Sequence, residues 1–548
     1  MTDQRDHLPE PPIPEIATPR RTLLKAGVAV GALLGAPALP EDAQASTVPK
    51  RGGSLRIQSS KVINLNPGIQ SGIATMIPGA QLFAGLVEFD ADWKPHPFLA
   101  ESWEASKDKL AHTFHLRRGA TFHDGKPITS GDVAFSLFTV KNNHPFGVAM
   151  FGGVDKIDTP DPSTVIIRLK HPVPSLLVSA SSVLLPILPK HVYDQGPIRT
   201  NPANLKPVGS GPFRLKSYNA AQYLILERFD GYFREQRPYL DQLIFEFMDD
   251  STAIMLSMMR GALDYVPYYD QIRNVQQLAR TPGLKVTNGG YAAIGPLNWL
   301  AFNLRNPPLS DLRVRQAIAY AIDKKFLLDK LFLGQAKDAT GPIAPGGPFY
   351  YSDVPNYDFD LAKADALLNA AGYKKAADGT RFSLTLDWNP EGGGEESYLP
   401  AQYLKSQLPK VGIAVNLRAS PDFPTWARRI GNWDFQLTMD EVFNYPDPVI
   451  GVQRTYVCDN IRKGVVWTNT QGYCNHKVDD LFARAAAEAD FPKRKALYDQ
   501  IQKILVEQLP VYWLNEIPYA TISKEKLGNT PVSIWGAMAP YDEVYWTA

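Results

Sequence analysis

Few residues of this chain have types and spacing suited to catalysis, and they are scattered. Ser210 lies in Gly209-Ser210-Gly211, but the G-x-S-x-G pattern of a strained nucleophile elbow is absent around it. The two glycines predict a tight approach between backbones instead of a reactive hydroxyl. His115, His123 and Asp124 could donate to a metal, yet no H-E-x-x-H or comparable cluster accompanies them. There is no P-loop and no dinucleotide fingerprint. Cys458 and Cys474 are the two cysteines, and without a second pair their spacing does not make a metal site. They are a disulfide candidate, worth about 3 kcal/mol through loop closure in an oxidising compartment; two small buried thiols are the alternative. No catalytic residue, metal or cofactor is therefore expected.

The elements that would hold any site belong to a large globular protein. The 548 residues are 44% hydrophobic, 21% charged and 11% aromatic, which excludes a mainly disordered or fibrous chain. A formal net charge of +1, from 57 basic and 56 acidic residues, gives no electrostatic case for nucleic acid or an anionic membrane. The first 45 residues read as an address. Arg20-Arg21 precede Thr22-Leu23-Leu24-Lys25 and an apolar run, Ala26 to Leu39, too short and too rich in Gly, Ala and Pro to span a membrane. The arginine pair is similar to a twin-arginine export signal, with Pro19 and Leu23 departing from its commonest residues. A general secretory signal is the alternative. Small residues at Ala43 and Ala45 predict cleavage after Ala45, and no cysteine there could carry a lipid. The expected location is periplasmic.

Along the mature chain, "GSLRIQSSKV" predicts a strand and "NLNPGIQSG" a loop, with a short apolar helix from Ala80 leading into a strand. The segments "HTFHLRRGATFHDGKPIT", "TVIIRLK" and "SLLVSASSVLLPILPKHVY" predict a compact α+β insert. "SDLRVRQAIAYAIDKKFLLDKLF" has helical apolar spacing, with Ser310 as N-cap and Asp311 in the first turn. Regular strand–helix alternation in the second half predicts an α/β lobe.

Several stretches resemble the large bacterial extracellular solute-binding proteins of the oligopeptide, dipeptide and nickel type, family 5. The strongest is "PFLAESWEASKDKLAHTFHLRRGATFHDGKPITSGDVAFSL", Pro97 to Leu137, joined by "PVGSGPFRL", "FNLRNPPLSDLRVRQAIAYAID", "NYPDP" and "DDLFARAAAEADFPKRKALYDQIQKILVEQLP". The resemblance implies a periplasmic-binding-protein-like bilobal fold of type II, α/β with an α+β subdomain in lobe I. Lobe I would take residues 46–295, with the insert at about 91–200, and residues 516–548; lobe II would take 296–515. The hinge would lie near Gly290–Asn298 and Glu516–Tyr519. It implies capture of a small solute (peptide, sugar, amine or opine-like compound, or metal chelate) for a cognate ABC permease, by a monomer. A secreted hydrolase on a similar scaffold is the alternative of another class; a sensor presenting its closed form to a receptor is a third.

Peptide-binding members hold the ligand's amino terminus with an acid three positions before the Asp-Pro of this motif, which here is the neutral Asn444. Dipeptide binders carry an arginine in the loop that here reads "PEGGGEESY", with Glu395 and Glu396 and no arginine. The resemblance thus points away from an ordinary free dipeptide. Glu441 stands at a position commonly aromatic, where it, Glu395 or Glu396 could receive an amine, guanidinium or sugar hydroxyls. Its neighbour Asp440 would face the other way on a strand. Trp299, Trp388, Phe443 and Tyr445 could add aromatic faces. Ser71 and Gly72 belong to a loop that faces the ligand in the family.

Overall fold

The computed structural model describes residues 49, 51–390 and 395–547; the expected export segment and cleavage site lie outside them. A seven-stranded sheet runs in the order Leu284–Thr287, Ala520–Lys524, Tyr265–Tyr269, Ser54–Ser59, Gln242–Phe247, Tyr223–Arg228, Phe213–Asn219. A six-stranded sheet runs Lys337–Asp338, Val511–Glu516, Pro296–Phe302, Leu437–Phe443, Phe382–Trp388, Ile413–Arg418. Each sheet has its own large apolar core. An antiparallel four-stranded sheet, Ala100–Ala105, Ala111–Leu116, Thr164–Leu169, Val154–Asp161, packs its inner face into the first core. Among the described residues no helix is long and apolar enough to cross a membrane.

Three local readings differ from the sequence expectation. The helix expected from Ala80 is Ile73–Leu82, starting well before it. Pro78 lies inside and breaks the apparent helical pattern, but burial of every side chain from Thr75 to Leu82 outweighs its propensity. The N-cap expected at Ser310 is Asp311, whose carboxylate accepts from Arg313 N–H. That helix, Leu312–Tyr320, stops at Ala321 because Asp323 caps a fresh turn, Lys324–Phe326.

The Gly209-Ser210-Gly211 turn is structural throughout. A Cβ on Gly209 would lie 1.9 Å from Leu82 O, and one on Gly211 would lie 2.3 Å from Gln81 O, so only glycine fits against that backbone. Ser210 is fully buried, its Oγ accepting from Ala84 N–H at 3.2 Å. His123 locks the turn from outside. Gly209 N–H donates to Nδ1 at 3.1 Å, which makes Nε2–H the donor to Gly211 O, also at 3.1 Å. Its neighbour Asp124 turns away to His191 at 2.7 Å, and His115 meets Glu104.

A second lock is ionic. Arg494 and Asp447 form a bidentate pair, 2.8 Å at each contact, with both side chains only 5% exposed. The carboxylate raises the affinity of the guanidinium for its proton against the cost of burial. Asp447 also caps Pro448–Gly451 by accepting from Val449 N–H at 3.0 Å.

Two outcomes follow. Asp447→Asn leaves a buried guanidinium uncompensated and should cost about 3–5 kcal/mol; an unchanged urea midpoint would show that the pair contributes nothing. Burial depresses the His123 imidazole from 6.5 to about 4. The unfolded ring therefore takes a proton that the folded ring refuses. Stability from this residue is complete above pH 6.5 and lost as pH falls toward 4, by about 3 kcal/mol at most. In His123→Gln, the fall of the thermal midpoint between those pH values should be smaller than in the wild type.

Candidate functional site

The strand Leu437–Phe443 carries the acids singled out in the sequence. It pairs antiparallel with Pro296–Phe302, so that Asn298 faces Glu441 and Trp299 faces Asp440 across the ladder. Alternation along the strand buries Asp440, 4% exposed, and leaves Glu441 half-buried. Asp440 Oδ1 accepts from Glu441 N–H at 2.8 Å and from the Trp467 indole N–H at 3.4 Å. Glu441 Oε2 accepts from the Tyr519 hydroxyl at 3.3 Å.

Tyr519 lies on the return path between the sheets. With Tyr268 and Tyr291 it makes a triangle of rings, centroids 4.8 to 5.7 Å apart, against which Phe443 packs. Burial pushes Tyr291 up to about 12, and Tyr268 well above its ordinary value. These are neutral hydroxyls: Tyr291 O–H shares a proton with Thr521 at 2.5 Å, and its oxygen accepts from Tyr268 N–H at 3.1 Å. Glu441 thus stands at the junction of the two sheets, beside an aromatic wall that sequence patterning did not pick out. Positions Tyr268, Tyr291 and Tyr519 come from three distant segments.

The remaining expected residues divide. Tyr445, Phe443 and Ser71 come together: the Tyr445 hydroxyl donates to Ser71 O at 3.5 Å, and its ring meets Phe443 at 6.3 Å. Tyr445 also packs on Phe146 at 4.5 Å, and the Arg454 guanidinium covers the same Phe146 ring at 5.1 Å. Desolvation lowers the pKa of Arg454. Gly72 is exposed, and a Cβ there would meet nothing within 4 Å, so this loop edge borders open space. Asn444 is spent elsewhere. Its Oδ1 accepts from Ala344 N–H at 2.6 Å and its Nδ2 donates to Pro342 O at 3.1 Å. The hollow beside Asn444 and Tyr445 admits about one water.

Trp299 is 4% exposed in the core of the six-stranded sheet, edge-on to Tyr456. Trp388 ends its strand opposite Met439, tilted against Tyr398 at 5.5 Å. Glu395 and Glu396 open the helix Glu395–Gln407; their side chains, like residues 391–394, fall outside the described part. Cys458 and Cys474 are bonded, with Cα atoms 4.7 Å apart.

The family model described as bacterial extracellular solute-binding proteins, family 5 Middle, matches residues 94–469. The dipeptide-binding protein of Escherichia coli K12 is 28% identical over 464 residues, covering 78% of this chain and 82% of that one. The oligopeptide-binding protein AppA of Bacillus subtilis, solved with a nonapeptide, superposes with a TM-score of 0.77 at 25% identity, covering 91% of this chain and 100% of its own. AgaA of A. tumefaciens R10, solved with agropinic acid, gives a TM-score of 0.74 at 26% identity, covering 90% and 99%. The fold is that of the bilobal type II binding proteins. Matched over more than half its length, this chain belongs to the family 5 bacterial extracellular solute-binding proteins, which are not enzymes but the components of ABC importers that capture small solutes outside the cytoplasm.

Proposed function

We propose that this member captures a small solute bearing an amine or guanidinium, other than an ordinary free dipeptide, with Glu441 as the charge partner. The observation that carries the reading is the exchange of roles on one strand. Asn444, where peptide binders have their acid, is neutral and has its amide committed to the 342–344 backbone. Glu441 instead brings a carboxylate to the lobe junction, beside Tyr519 and Phe443. An acid in a closing cleft is stabilised by a cation that enters with it. Neutral tyrosine rings suit the apolar and cationic parts of the same ligand. Opine-like compounds that carry an amine or guanidinium are included among the candidates; a similar protein, AgaA, was solved with agropinic acid.

Peptide transport is the second reading, favoured by relatives such as the E. coli dipeptide-binding protein. In either case the lobes are taken as residues 46–295 with 516–548, and 296–515, the subdomain as about 91–200. The seven-stranded sheet draws only on the first set and the six-stranded sheet, apart from Glu516, only on the second, which supports that division. Trp388, Glu395 and Glu396 complete the proposed cleft from lobe II, Ser71 and Gly72 from lobe I. The protein is proposed to be a periplasmic monomer exported through the twin-arginine route.

Mass spectrometry of ligand released from natively purified protein should give an amine- or guanidinium-bearing compound; a neutral sugar or a mixture of dipeptides would overturn the reading. In calorimetry with that compound, Glu441→Gln should weaken binding at least tenfold, about 1.4 kcal/mol. Equal affinity in both variants would remove Glu441 as the charge partner. Replacing Arg20 and Arg21 by lysine should trap the precursor in the cytoplasm; undiminished export in cell fractions would assign the general secretory route.

A further inference from the structure

The surface staple of lobe II holds more than a disulfide. Cys458 and Cys474 lie against the start of the helix His476–Ala487, and His476 and Asp479 from its first turn face the two sulfurs. One donor atom from each of the four residues falls within 4.8 Å of every other. Cys458 Sγ is 3.9 Å from His476 Nδ1, and that nitrogen is 3.2 Å from Asp479 Oδ2. The other oxygen of Asp479 accepts from Cys458 N–H at 3.1 Å, which fixes the carboxylate's orientation toward the histidine. Sequence spacing hid this arrangement, because the second pair of donors is not cysteine.

The geometry points to a divalent metal site in the reduced chain, built from the Cys458 and Cys474 thiolates, His476 Nδ1 and an Asp479 oxygen, and taking zinc or a cation of similar softness. Four-coordinate zinc needs bonds of about 2.0–2.3 Å, which sets donors roughly 3.3–3.8 Å apart. The histidine–carboxylate and sulfur–histidine separations already lie close to that range. The sulfurs, 2.06 Å apart in the bonded form, are the pair that must part. A mixed thiolate, imidazole and carboxylate set suits zinc better than calcium or magnesium, which take all-oxygen shells. Cys474 precedes the helix N-cap, Asn475, where the helix dipole favours a thiolate.

Chemically, a dithiol or phosphine passes two electrons to the disulfide, the S–S bond breaks, and two thiols form. The cation then displaces both thiol protons to water as two metal–sulfur bonds form. Metal and disulfide are mutually exclusive fasteners of the same loop. Export in the folded state, proposed above, passes the chain through a reducing compartment before oxidation, so the reduced folded form would be an obligatory stage. There the metal would close the loop that the disulfide closes afterwards.

The test uses the full-length protein reduced with a phosphine, freed of reductant under argon and titrated with Co2+. The chain has no third cysteine, so any sulfur-to-cobalt charge-transfer band reports this pair. The expected result is a near-ultraviolet band saturating at one equivalent, absent from the oxidised protein, with affinity at least tenfold weaker in His476→Ala. No band, or a band unaltered in His476→Ala, would overturn the site. As a check that does not depend on a variant, Zn2+ should raise the thermal midpoint of the reduced protein and leave that of the oxidised protein unchanged. Equal response of both forms would likewise overturn it.

Discussion

The arrangement depends on two hydrogen-bonded strands that carry the chain across its middle. Pro296–Phe302 follows the passage out of the seven-stranded sheet and Val511–Glu516 precedes the return to it, and they are neighbours in one sheet, paired from Leu297 with Glu516 to Ala301 with Val511. All seven residues of Pro296–Phe302 are buried, so the ladder is fixed from both faces. Outside it the chain passes between the two sheets through the short stretches 288–295 and 517–519. Ile517 N–H still donates to Pro296 O at 3.0 Å, and Tyr291 and Tyr519 lean on Tyr268. Since Glu441 pairs with Asn298 on the neighbouring strand, its position is set by this ladder.

The Asn444-Tyr445-Pro446-Asp447-Pro448 motif shows why family membership and ligand identity are separate questions. Asn444 ties the strand end to 342–344, Asp447 clamps Arg494 and caps the next helical turn, and Pro448 supplies its first residue. Tyr445 takes a positive φ of 53° and turns its hydroxyl toward Ser71. Most letters of the motif are therefore consumed by architecture. On the proposed reading the ligand is met by neighbouring positions such as Glu441, whose replacement would leave the clamp intact.

Much of this was legible in the sequence because local rules and burial agreed. The strand Ser54–Ser59, the helical apolar spacing after 310, the acid pair on alternate faces and the tight Gly209–Gly211 approach all follow from residue type and spacing. The failures mark places where long-range packing won. Burial overrode Pro78, and Asp311 displaced Ser310 as cap. The tyrosine triangle, the seat of Phe146 between Tyr445 and Arg454, and the His123 lock join segments far apart in the chain. No periodicity announces such contacts, since each residue alone looks like ordinary core.

A covalent fastener on the surface bears on the cleft because of what its loop contains. Between Cys458 and Cys474 lies Trp467, at a positive φ of 56°, stacked on Phe423 at 5.3 Å. Its indole donates to Asp440, and its carbonyl accepts from Arg454 at 2.9 Å, the same arginine that covers Phe146 of the first core. Loosening the loop would therefore free Trp467, and with it both the back of the acidic strand and the arginine that covers Phe146. Fixing the loop lowers the conformational entropy that closure must remove. On the proposed reading, the staple would aid ligand capture by preorganising that wall, at a distance from the solute.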